Sequence, residues 1–169
     1  ERSISALREL AADAHPDVRA SATEALVRLA SPDRIAAVAR LFEDERTVMK
    51  GIYLSPKAFD RHTIELLHAR AVVNIAQPVR LAAIDALGKI ESAEAIRALF
   101  ELAQDSTIAF ESVFALSRNP HADALSSLAL LVNARATHPL AIHAYVARLL
   151  RTHEHHKEAD RSIVALAKS

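Results

Sequence analysis

The amino-acid sequence predicts an all-α protein in which successive helices pair as antiparallel hairpins. Three observations carry that expectation. Alanine fills 35 of the 169 positions and leucine 21, so the strongest helix formers dominate the chain. Glycine, among the poorest helix formers, occurs only at Gly51 and Gly88. Valine and isoleucine recur at intervals of three and four rather than in the alternating pattern of a strand.

A short pattern returns along the chain. "DVRASATEAL" supplies Val18, Arg19, Ala22, Ala25 and Leu26, and "PVRLAAIDAL" supplies Val79, Arg80, Ala83, Ala86 and Leu87. A weaker copy begins at Ile108 with Ser112, Ala115 and Leu116. A fourth begins near Leu140 with Ala144 and Ala147, and has Arg148 where leucine is expected. The first, fifth, eighth and ninth positions form one face of a helix. The anchor at 108 follows that at 79 by 29 residues and the anchor at 140 follows that at 108 by 32, while the first gap, from 18 to 79, is 61, close to two such units. A further copy is therefore expected near Val48, but "VMKGIYLSP" carries Gly51 and Pro56 there. Residues 45–57 read as a degenerate or inserted element.

Other amphipathic helices are expected over residues 3–14, 33–44, 57–76, 92–104, 121–135 and 155–168. Pro16, Pro32, Pro78, Pro120 and Pro139 stand at helix starts, where a missing N–H costs nothing. Ser31, Ser92 and Asn119 are the cap or turn residues beside them. Each hairpin cannot bury its own apolar face, and stacking on the next one does so, which accounts for the repetition.

The stretches 15–30 and 77–90 resemble the second helix of HEAT-like repeats of the short bacterial type, and 106–118 is similar in part. The resemblance implies a right-handed α-solenoid of about five antiparallel hairpins across residues 1–169. It also implies an aspartate paired with the Val-Arg arginine of neighbouring repeats. Asp17 and Arg19 fit that habit, whereas Gln77, Ala109 and Ala141 depart from it. Through the resemblance, a bilin lyase-like, chromophore-handling role is one alternative function.

Catalytic chemistry finds no support in these residues. There is no cysteine, no phosphate-cradling glycine loop and no nucleophile elbow. "THEHHKEAD" clusters His153, His155 and His156 ahead of Asp160, and reads as a solvated loop opening the last helix; no metal or other cofactor is expected. The 21 basic and 21 acidic residues cancel, which disfavours a nucleic-acid partner. No apolar run reaches the roughly 20 residues of a membrane span, and no signal peptide is visible, so the expected location is cytoplasmic and the expected partners exclude membrane. Neither end reads as the polar cap that a repeat array needs, so a longer chain or a covering subunit is expected.

What remains is recognition. In this geometry the third and seventh pattern positions point partly into a concave face. They are Leu81 and Asp85 in the second copy, Phe110 and Phe114 in the third, and Ile142 and Val146, beside Tyr145, in the fourth. Exposed apolar groups there mark a surface for a protein or peptide segment. Arg28, Lys89 and Arg118 share the eleventh position and Arg151 lies close to it. They form a basic row for phosphates or an acidic partner, or simply favourable cations at helix C-termini. Lys50, Tyr53 and Lys57 are expected at the surface of the irregular element.

Overall fold

The computed structural model describes residues 2–72, 76–133 and 147–148. All regular structure among them is helical, with no strand, as the composition requires. The chain divides into two compact units, residues 1–90 and 91–169.

The first unit contains α1 (Arg2–Leu10), α2 (Pro16–Arg28), α3 (Arg34–Arg40), α4 (Val48–Leu54), α5 (Arg61–Val72) and α6 (Gln77–Lys89). Pro16 and Pro78 sit in first turns, as their positions in the pattern predict. At α5, the Asp60 carboxylate accepts from the Thr63 amide and hydroxyl, both at 2.8 Å. α2 ends in a left-handed turn: Ala30 takes φ 50°, the Ser31 amide donates to the Leu26 carbonyl, and the Ala30 amide donates to that of Val27. Ser31 serves there as a turn residue, its hydroxyl accepting from the Asp33 amide at 3.3 Å. Helix α2 packs on α1, α3 and α4; α3 packs on α4 and α5; α6 packs on α4 and α5. Leu26, Leu41, Leu67, Ile84 and Leu87 are fully buried among them.

Within residues 45–57 a turn leads into α4, which is followed by a single 3-10 turn, Ser55–Lys57. The helix begins at the expected anchor, and Val48 and Ile52 are buried where Val18 and Ala22 stand in the first copy. Gly51 is the point of closest approach. A Cβ there would lie 3.1 Å from Leu41 Cβ and 3.1 Å from the Phe42 ring, a tight contact that would require these side chains to shift by a few tenths of an ångström. The Ser55 hydroxyl, fully buried, donates to the Gly51 carbonyl at 2.8 Å.

The arginines of the pattern work on backbone. Arg19 donates to the carbonyls of Asp13 and Ala14, at 2.9 and 2.8 Å, just beyond the end of α1. Arg80 donates to the Ala71 carbonyl in the last turn of α5 at 3.2 Å. A cation at the negative end of a preceding helix is favourable, and the fork lets it bind orphan carbonyls. The carboxylate that meets Arg19 is Asp44, at 2.6 Å, rather than Asp17, whose side chain is 90% exposed.

The second unit contains α7 (Ala93–Leu102), α8 (Ala109–Arg118) and α9 (Asp123–Asn133), each packed on the other two. Ser92 caps α7, accepting from the Ala95 amide at 3.2 Å. Asn119 makes a turn, accepting from the His121 amide at 2.9 Å. Ile108, Ser112, Ala115 and Leu116 are all buried, the face that the pattern assigns to the core. Ser112 substitutes for alanine because its hydroxyl returns to the Ile108 carbonyl at 2.8 Å. Arg148 is 8% exposed and donates to the carbonyls of Leu116, Ser117, Asn119 and His121, at and just beyond the end of α8. A guanidinium therefore takes the place expected for leucine because it closes the end of a helix.

Candidate functional site

In the first unit, the anchor helices α2, α4 and α6 carry the surface residues of interest. Glu24 on α2 accepts from Lys50 on α4 and, at 2.8 Å, from Arg28 one turn along its own helix. The hydrogen bond from Lys50 holds the Glu24 carboxyl below the usual carboxylate range. The Lys50 ammonium also lies over the Tyr53 ring, 5.7 Å from its centroid. Tyr53, itself 68% exposed, forms with Met49 and Ile52 one wall of a cleft of about 270 Å³. The opposite wall belongs to α6, where Asp85 and Lys89 pair at 2.5 Å. Ala82 and Ala86 line the same wall, and their small side chains leave the space open. Lys57 completes the rim.

In the second unit, Phe110 and Phe114 stand on the outer face of α8, 53% and 51% exposed. Their rings lie 6.3 Å apart, centroid to centroid, with an interplanar angle of 10°. The Arg118 guanidinium lies over the Phe114 ring at 5.5 Å. The three residues follow at intervals of four, so they share one helical stripe.

Four of the predicted surface positions are thus placed: Asp85 on the cleft wall, Leu81 half-buried on the same helix, and Phe110 and Phe114 as an exposed pair. Ile142, Tyr145, Val146 and Arg151 lie outside the described residues, as do the histidine cluster at 153–156 and the last expected helix. Of the basic row, Arg28 and Lys89 are ion-paired with the residue four positions earlier, and Arg118 covers an aromatic ring at the same offset. Each of these three cations thus has a partner one turn earlier on its own helix.

No family model matches this chain, and no curated protein matches it.

Sequence reasoning overlooked the cleft itself. Met49 and Tyr53 are four residues apart on a helix and both exposed, which is a readable signal, but the facing alanines of α6 become a wall only when α4 packs beside them. It also overlooked a recurring turn. Asp13, Asp44 and Asp105 each accept from the amide two residues ahead, at 2.7, 2.9 and 2.9 Å, shortly before the anchors Val18, Val48 and Ile108. Among the described residues no three His, Asp or Glu side chains cluster as metal ligands, and no helix is long and apolar enough to cross a membrane.

Proposed function

We propose that this chain is a non-enzymatic protein-interaction module. Its helices stack as HEAT-like hairpins of a right-handed α-solenoid, and the faces of the anchor helices bind a peptide or protein segment. The order of packing in the first unit supports the repeat reading, since α2 meets α4 and α4 meets α6 at the pattern's interval.

The observation that carries the functional reading is the Phe110–Phe114–Arg118 stripe. Two stacked phenylalanines half exposed on one helix, with an arginine over the second, match the residue types that dominate binding energy at interfaces. Contiguous apolar groups exposed on a surface helix mark interaction sites. The test is Phe114→Asp. Captured partners of the wild-type chain are identified and their affinity measured against both forms. Binding weakens by about 2 kcal/mol or more, as loss of an aromatic anchor does, while the melting temperature stays within a degree or two of wild type because the ring is exposed. Severe destabilisation, or unchanged affinity for every identified partner, would remove the basis for this reading.

A further inference from the structure

The cleft between α4 and α6 has a size, a lining and a charge balance that together specify an occupant. Its volume, about 270 Å³, falls below the roughly 300–1,000 Å³ of small-molecule and cofactor sites. It suits one or two side chains of a larger molecule. Ile52 on one wall and the alanines of α6 on the other make its lining largely apolar. Met49, 45% exposed, supplies a pliable wall that adapts to the shape of an aliphatic or aromatic insert. Tyr53 supplies a broad ring whose hydroxyl remains wet. The Lys50 ammonium, which Glu24 anchors, lies over that ring and favours its position beside the cleft.

The rim decides the sign of the partner. Of the charged residues that line the cleft, Lys89 is neutralised by Asp85, whereas Lys57 is exposed and, among the described residues, makes no ion pair. One cation is thus left beside an apolar cleft whose other charges cancel. We propose that this cleft seats a large apolar side chain of an acidic peptide, with a neighbouring carboxylate of that peptide paired to Lys57. The inference rests on the reading of the chain as a protein-interaction module and names the chemistry of one partner segment.

The experiment uses the whole chain as bait for displayed random peptides of about 12 residues, a length that spans a few turns of helix or a short extended segment. Enriched peptides are synthesised with a fluorescent label and titrated by anisotropy against wild type, Lys57→Glu, Lys57→Ala, Ala82→Leu and Phe114→Asp. The expected peptides carry Leu, Phe or Met next to Asp or Glu. Their affinity falls about tenfold or more with Lys57→Glu, less with Lys57→Ala, and about tenfold with Ala82→Leu, which fills the cleft. Phe114→Asp identifies any enriched peptide that sits on the α8 stripe instead of the cleft, and added salt weakens binding of the cleft peptides to wild type more than to Lys57→Ala. Melting curves establish that each variant is folded. Peptides without the apolar–acidic pairing overturn the proposal, as does affinity indifferent to both Lys57→Glu and Ala82→Leu. Peptides lost only with Phe114→Asp overturn the cleft and leave the interaction module standing. Enrichment of no peptide at all overturns the cleft, and the Phe114 measurement on captured partners then judges the module by itself.

Discussion

Truncation of Leu87 to alanine measures whether the repeated pattern has the helical phase assigned to it. Leu87 is the ninth position of the second copy, is 0% exposed, and belongs to α6, which packs on both α4 and α5. The substitution removes three buried carbon groups, each of which contributes about 0.8 kcal/mol through loss of contact with water. That term alone is about 2.4 kcal/mol. A cavity adds to it, because a helix held from two sides relaxes poorly into the space, and observed leucine truncations span about 2–5 kcal/mol. The expected loss is therefore about 3–4 kcal/mol. Urea denaturation followed by circular dichroism reads it as a lower midpoint with an unchanged slope. Leu81→Ala on the same helix is the control: the side chain is half-buried, and the expected loss is below about 1 kcal/mol. Equal effects at the two positions, or a loss under about 1 kcal/mol for Leu87→Ala, would refute the assignment of the ninth position to the core.

Three further outcomes are expected. Ala30→Gly raises stability by about 0.5–1 kcal/mol in the same assay, since Ala30 holds a left-handed conformation that costs an L-residue about 1–2 kcal/mol and the freer unfolded chain offsets part of the gain; a loss would place the strain elsewhere. Arg148→Leu, although it restores the residue expected from the pattern, destabilises the second unit by about 2–4 kcal/mol because buried carbonyls at the end of α8 lose their donor, and a neutral result would dissociate Arg148 from that cap. Acidification lowers the melting temperature: Glu24, Asp33 and Asp44 are held below the usual carboxylate range by Lys50, by Arg8 and by the Arg46 amide respectively. Their contribution is complete above the unfolded values of about 3.9–4.3 and disappears as pH falls through the lower folded values, so melting curves flat from about pH 7 to 5 and falling in stronger acid are expected, and a rise on acidification would contradict the assignment.

The division of α8 into two faces is legible in the amino-acid sequence. Spacing alone separates Ile108, Ser112, Ala115 and Leu116, all buried, from Phe110 and Phe114, both half exposed, because helical periodicity is a local property of the backbone. The all-helical character and the caps at Pro16, Pro78 and Ser92 are legible for the same reason: each follows from residues within a turn of one another. Sequence also places Lys50, Tyr53 and Lys57 at the surface, without showing that Tyr53 and Lys57 border one cleft.

What the tertiary structure alone decided involves pairs far apart in sequence. Arg19 meets Asp44 across 25 residues, Lys50 meets Glu24 across 26, and Arg148 reaches the carbonyls at and just beyond the end of α8 across 27 to 32. The pattern marks Gly51 as an interruption; packing shows it to be the position where Leu41 and Phe42 press against the backbone of α4. The pattern marks Arg148 as a departure from leucine; packing gives it four carbonyls to bind. Periodicity records which side of a helix is apolar, because every turn repeats the same geometry. It holds no record of what stands opposite, because that depends on how two separate surfaces meet, and the cleft between α4 and α6 exists only as such a meeting.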